Sequence, residues 1–271
     1  MTIPYPRIPP EIIRIGPFAL RWYGVMYIVG YAVGVMVARR RVRRGLVPFS
    51  EAAVDTLVGY LFVGMLLGAR LIYVFVYDPH QYAVNPLEAF AIWHGGLSFH
   101  GAVLGMALAS LIFARRKHIP FWTVADTLAL SGTPGLFFGR LGNFINGELY
   151  GRPTSAPWAM IFPSDPLHVP RHPSQLYEAL CEGLLLFALL WMLERSSVRR
   201  GRYFPGLLAG AFLIGYGIIR FALEFTRMPD AQLGFVAGHF SMGQLLSSLM
   251  ILAGLVVLGY TRRAPSSLTT P

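Results

Sequence analysis

Seven apolar segments, each about as long as a bilayer is thick, constrain this chain more than any other feature in it. They lie at about residues 18–38, 54–76, 97–114, 121–141, 176–193, 204–225 and 242–260. A helix needs roughly 20 apolar residues to cross the hydrocarbon core, where every backbone polar group must find its partner within the protein. The expected fold is therefore all-α, a polytopic membrane protein of about seven transmembrane helices. The fourth segment is the least regular, because Gly132, Pro134 and Gly135 interrupt it. With no long polar block, linker or repeat array, residues 1–271 read as a single integral membrane domain.

Charge supports the membrane reading. Only 13% of residues are charged, against about 25% in soluble domains. The net charge of +10 would suit a nucleic-acid binder, but the arginines punctuate apolar runs instead of covering a soluble face, so no nucleic-acid partner is expected. Arg and Lys follow the first segment (Arg39, Arg40, Arg41, Arg43, Arg44), the third (Arg115, Arg116, Lys117), the fifth (Arg195, Arg199, Arg200, Arg202) and the seventh (Arg262, Arg263), while residues 77–96 contain neither. With seven crossings these sites share one side, and the positive-inside rule puts the N-terminus outside and the C-terminus in the cytoplasm. The first 17 residues lack the basic start and apolar core of a cleaved signal peptide, so the first span is expected to act as the insertion signal. The longest connection, residues 142–175, is rich in proline and predicts a small outer-face cap between spans four and five, with 158–162 as a short strand. Cys181 is the sole cysteine, which excludes an intramolecular disulfide.

Polar groups gather on the outer half of this scheme. Residues 139–151 read Gly-Arg-Leu-Gly-Asn-Phe-Ile-Asn-Gly-Glu-Leu-Tyr-Gly. Helical spacing puts Arg140, Asn143 and Phe144 on one face, and Gly142, Gly147 and Gly151 predict that the helix ends here in a backbone-rich loop. Arginine matches phosphate oxygens bidentately, and Asn143 and Asn146 add neutral donors; an Arg140–Glu148 ion pair is the plainer alternative. Tyr216, Arg220 and Glu224 form a stripe spaced by four on the sixth segment, followed by Arg227; a simple Arg220–Glu224 pair explains part of it. Two arginines on different spans suggest one convergent anion site, and a phospholipid head group is the obvious anion in a membrane. Tyr23, in Arg21-Trp22-Tyr23-Gly24, reads equally as an interfacial belt residue. His94 and His100 flank Gly95-Gly96-Leu97-Ser98-Phe99, and a histidine there can exchange a proton near neutral pH. Gln175 and Glu178 share a face at the start of the fifth segment. No metal or other cofactor is expected, since no Asp/Glu/His spacing complements the two histidines.

The stretch Gly139–Glu148 resembles the signature of the prolipoprotein diacylglyceryl transferases. Arg21–Gly24, Gly95–Gly101, Arg171–Glu178, Tyr216–Glu224 and Ser241-Met242-Gly243-Gln244 resemble further blocks of that family, in its order. His94 departs from the pattern, standing where the family commonly has an acidic residue. The resemblance implies a seven-span enzyme of the bacterial inner membrane, N-terminus outside. It implies transfer of the diacylglyceryl group of phosphatidylglycerol to the lipobox cysteine of a prolipoprotein signal peptide, with release of glycerol phosphate. Tyr23, His100, Arg140, Asn143, Glu148, Gly151, Arg220 and Glu224 match positions the family uses for activity or lipid binding. On this reading Arg140 and Arg220 stabilise the leaving phosphate, and His100 is the candidate base for the acceptor thiol, assisted by Tyr23 or Glu148. Phosphatidylglycerol is expected to contact Arg140, Asn143, Asn146, Gly151, Arg220, Glu224 and Tyr216.

The competing readings are weaker. A lipid or solute transporter predicts repeat symmetry between halves, and none is evident. An intramembrane protease using Ser98 and His100 needs residues two apart to face each other on a helix, which they do not. A metal-dependent phosphatidyl transferase needs clustered aspartates, and Asp126, the one aspartate well inside a span, has none beside it; Asp55 lies at the edge of another segment.

Overall fold

The computed structural model describes residues 2–6, 8–16, 18–228, 235–237 and 240–263. Each apolar segment falls on a helix: α1 (Trp22–Arg43), α2 (Glu51–Ile72), α4 (Phe99–Arg116), α5 (Phe121–Asn146), α7 (Leu186–Arg199), α8 (Leu207–Leu223) and α9 (Met242–Thr261). The short α3 (Pro79–Val84) follows α2, and α6 (Ser174–Glu178) runs through a π-helical stretch, Ala179–Leu185, into α7. Among the described residues, Trp22–Arg43, Glu51–Tyr77, Ser174–Arg199 and Met242–Thr261 are long and apolar enough to cross a membrane, and Leu207–Leu223 is a shorter apolar helix. The chain is a mostly helical, multi-pass membrane protein.

It is not wholly helical. Strand β1 (Glu11–Ile15) pairs antiparallel with β2 (Phe18–Arg21), and β3 (Phe235–Ala237) with β4 (Phe240–Ser241). The β-branched run Ile12, Ile13, Ile15 favours an extended chain, and Gly16 turns it at φ +59°. The first helix consequently begins at Trp22 and not at Phe18. The expected strand at 158–162 is absent as a regular strand. Met160 makes one isolated bridge to Arg171, and Pro157 and Pro163, lacking N–H donors, bound the segment.

Two compact units emerge from the pattern of contacts: residues 1–38 with 126–271, and residues 39–125. In the second unit α2 and α4 pack through glycines. A Cβ on Gly68 would run into the Gly101 carbonyl, and one on Gly105 into that of Gly64. Small residues let backbones approach closely where hydrophobic expulsion from water offers little drive. Arg70, 7% exposed, secures the connection that follows. It donates to the carbonyls of Ala89 at 2.8 Å, Gly95 at 2.7 Å and Gly96 at 2.9 Å, and also to that of Glu88.

In the first unit α5 passes through Pro134 without breaking. Proline removes the amide that would reach the Leu130 carbonyl, and the Thr133 hydroxyl donates to that carbonyl instead, at 2.9 Å. Asp126 sits fully buried where α5 meets the start of α8. Its carboxylate accepts from Tyr203 Oη at 2.7 Å, Gly206 N at 2.9 Å and Ala209 N at 2.8 Å, which caps α8 from another helix. Leu130, Leu186, Leu190 and Leu208 form the apolar core around it.

Candidate active site

The helix that carries the 139–151 stretch does not end at Gly142. It continues to Asn146 and stops at Gly147, whose φ of +69° suits glycine. Gly142 is small for a different reason: a Cβ there would lie 3.1 Å from Tyr23 Cδ2, so α1 packs directly against it. After Gly147 an irregular cap runs to Pro173. Its ties are the bridges Gly151–Arg227, Pro153–Arg171 and Met160–Arg171 and an aromatic cluster of Tyr5, Phe144, Tyr150 and Phe162. Tyr5 Oη donates to the Phe144 carbonyl at 2.5 Å. Gly151 is buried, and any Cβ there would collide with Ser174 Oγ and the Thr226 carbonyl. Its role is to let the cap close on the end of α8.

Arg140 does not pair with Glu148. Its Nε lies 2.7 Å from Glu178 Oε2, and Nη2 is 4.0 Å from Glu182. Arg220 faces Glu178 at 3.4 Å, Glu182 at 3.5 Å and Glu224 at 3.1 Å. Arg227 completes the group, 2.9 Å from Glu178 Oε1. The i, i+4 pair Arg220–Glu224 thus exists, but as one edge of a six-membered ionic cluster. Arg140, Arg220 and Arg227 balance Glu178, Glu182 and Glu224 in formal charge. The carboxylate side chains are 0–7% exposed and the guanidinium side chains 15–21%. The cations are therefore on the open side of their counter-ions.

Local structure explains how the carboxylates arrive there. Glu178 ends α6, and Glu182 follows within the π-helical turn. Gly183 brings that turn against α5, since a Cβ on it would clash with Phe137, one turn from Arg140. Ser241 opens α9 with a capping box shared with Gln244, and its hydroxyl donates to Glu224 Oε1 at 3.1 Å. Tyr216 is half-buried, stacked on Phe212 and within electrostatic reach of Glu182, Arg220 and Arg140.

Tyr23, Asn143, Asn146 and Glu148 form a second, neighbouring group. Asn143 Nδ2 donates to Glu148 Oε1 at 2.8 Å and Asn146 Nδ2 to the same oxygen at 3.4 Å. Tyr23 Oη lies 2.9 Å from Tyr27 Oη and also engages Asn143. Gln175 Nε2 donates to the Glu148 carbonyl at 2.6 Å, so α6 touches both groups. His100 belongs to the second unit, on the first turn of α4, exposed, with Nδ1 3.4 Å from Tyr77 Oη. His94 pairs with Glu88 at 3.1 Å.

The structure thus joins Arg140, Arg220, Glu224 and Tyr216 in one cluster and gathers Tyr23, Asn143, Asn146 and Glu148 in another. Sequence reasoning missed Glu182 altogether and noted Glu178 only as sharing a face with Gln175. The i, i+4 spacing of the two glutamates inside an apolar segment was the available signal. The Ser-x-x-Gln capping box at 241–244 was another.

A site of this kind can hold a phosphate and stabilise charge growing on it. Comparison with known proteins identifies the family. The family described as "Prolipoprotein diacylglyceryl transferase" matches residues 10–260. A phosphatidylglycerol–prolipoprotein diacylglyceryl transferase of Bordetella bronchiseptica is 49% identical over 263 residues, covering 97% of this chain and 98% of that protein. One from Rhodospirillum rubrum is 50% identical over 266 residues, covering 97% and 96%. One from Pseudomonas putida is 46% identical over 257 residues, covering 93% and 94%. With the family matched over nearly its whole length, the chain is a membrane enzyme that belongs to the prolipoprotein diacylglyceryl transferase family.

Proposed function

We propose that this enzyme moves the sn-1,2-diacylglyceryl group of phosphatidylglycerol onto the lipobox cysteine thiol of a prolipoprotein signal peptide, releasing glycerol phosphate. This is the first step of bacterial lipoprotein maturation. The observation that carries the donor half of the reading is the cluster of Arg140, Arg220 and Arg227, seated on buried carboxylates with the guanidinium groups toward the open side. The guanidinium side chains keep 15–21% of their surface exposed while the carboxylates keep 0–7%, so it is the cations that a phosphate would meet first.

The reaction is attack of sulfur at the glyceryl carbon with the phosphate as leaving group. Arg140 and Arg220 stabilise negative charge as it grows on the departing oxygen. Asn143, Asn146, Tyr216, Gly151 and Glu224 shape the lipid-binding walls. The acceptor thiol has an ordinary pKa near 8.5 and needs a base. His100 is the candidate, with Tyr23 or Glu148 assisting. General-base catalysis is worth about 10²–10⁴ in rate, so His100→Gln is expected to slow transfer by that order with the protein still folded. A full rate would place the base elsewhere.

In this reading the chain acts as one integral domain of the bacterial inner membrane, crossing it seven times. The N-terminus lies outside and the C-terminus in the cytoplasm, supported by the arginine-rich ends after α1, α4, α7 and α9. The reaction then takes place at the outer face. The test is direct: purified protein is incubated with phosphatidylglycerol and a lipobox peptide. Thioether-linked diacylglyceryl peptide supports the proposal, and its absence with folded enzyme rejects it.

A further inference from the structure

We infer that Glu182 fits the arginine cluster to a singly negative head group by taking up one proton from solvent when the phospholipid phosphate binds. The inference rests on the proposed function, because it places that phosphate between Arg140 and Arg220.

Charge balance supplies the argument. The empty cluster is neutral in formal charge, with three guanidinium groups facing three carboxylates. A phosphodiester adds one negative charge and brings no cation. Uncompensated charge in a desolvated site is costly, and the usual remedy is protonation of the least supported carboxylate. The three carboxylates are not equally supported. Glu178 is held by Arg140 at 2.7 Å, Arg227 at 2.9 Å and Arg220 at 3.4 Å. Glu224 has Arg220 at 3.1 Å and the Ser241 hydroxyl at 3.1 Å. Glu182 has Arg220 at 3.5 Å and Arg140 at 4.0 Å, the longest pairings in the cluster among the described residues. Its side chain is 0% exposed. Among the described residues, the ionisable neighbours of Glu182 are Arg140 from α5, Glu178 from α6, Arg220 and Tyr216 from α8, and Cys181 beside it on the π-helical turn.

A phosphate that draws Arg140 and Arg220 toward itself weakens both ion pairs that Glu182 makes among the described residues. Protonation then leaves a neutral acid in the interior and restores balance across cluster and ligand. A zwitterionic head group adds no net charge and takes up no proton, so Glu182 ties lipid selection to head-group charge. The sign follows from linkage: binding that consumes a proton weakens as pH rises, by up to about tenfold per pH unit for one proton.

The experiment is calorimetric titration of the full-length protein in detergent with short-chain phosphatidylglycerol. It is run in two buffers of different ionisation enthalpy, so that protons taken up per lipid are read directly. The expected result is uptake approaching one proton in the wild type and near zero in Glu182→Gln, with the variant's affinity flat across pH. Phosphatidylglycerol binding without proton uptake, or with uptake unchanged in Glu182→Gln, overturns the inference and leaves the phosphate site standing. The wild-type measurement decides the matter even if the variant does not fold. Failure of the wild type to bind phosphatidylglycerol at all overturns the phosphate site itself, and this inference with it.

Discussion

Arg171 in the cap is buried and Arg220 in α8 partly so, and both face carboxylates, but their donors are used differently. Arg171 grips Asp165 bidentately, Nε to Oδ2 at 2.6 Å and Nη2 to Oδ1 at 2.9 Å. It also lies over the Tyr150 ring, 4.9 Å from its centroid. Asp165 in turn accepts from the amide of Leu167 at 3.2 Å. Arg220 is instead shared among three carboxylates at 3.1–3.5 Å. Arg70 in the second unit resembles Arg171, its donors taken up by loop carbonyls. The lesson is that burial of a cation does not by itself mark a site. A saturated guanidinium holds the chain together, while a loosely shared one is the kind the proposed phosphate site calls for.

This contrast breaks most sharply under substitution. Arg220→Ala and Arg140→Ala are expected to lower transfer per folded molecule by about 10²–10³ or more, together with a fall in melting temperature, because each also leaves buried carboxylates underpaired. Near-normal thioether formation by either variant would remove the phosphate assignment. Arg171→Ala should cost stability alone. It strands a buried carboxylate, at a cost of about 3–5 kcal/mol, read as a large drop in melting temperature, while the folded fraction retains its rate.

Acid sharpens the same comparison. The Arg171 guanidinium beside Asp165 holds that carboxyl down, from the ordinary 3.8 to about 2. The folded-state value is the lower one, so the pair's contribution is complete above about pH 4 and is lost as pH falls toward 2. Thermal melts across that window should lose stability in the wild type and show a shallower loss in Asp165→Asn. An identical slope in both would assign acid sensitivity to other groups. The smallest effect is expected at Cys181, because the reacting sulfur belongs to the substrate; Cys181→Ser should keep its rate in the peptide assay, and total loss would reject that scheme.

How much of this was legible beforehand follows from the range of each interaction. The apolar segments were, because hydropathy is local, and each lies on a helix. Arg140, Arg220 and Glu224 were, because an arginine in an apolar helix and an i, i+4 partner are visible within a few residues. The roles of Arg70 and Asp126 were not. Arg70 spends its donors on carbonyls 18–26 residues away, and Asp126 caps a helix start 80 residues downstream. Carbonyl acceptors carry no side-chain signature. Glu178 and Glu182 reach the arginines through a π-helical turn, and that change of phase defeats simple helical spacing. The hairpin at 11–21 was overlooked because the apolar run beyond it dominated the reading.

The most direct measurement is the affinity of short-chain phosphatidylglycerol for folded wild type, Arg220→Gln and Arg171→Gln in parallel. The arginine-cluster account predicts that wild type and any folded Arg171→Gln bind with similar affinity, while folded Arg220→Gln loses binding by tenfold or more, a loss of about 1.4 kcal/mol at least. Equal binding by wild type and Arg220→Gln would contradict it.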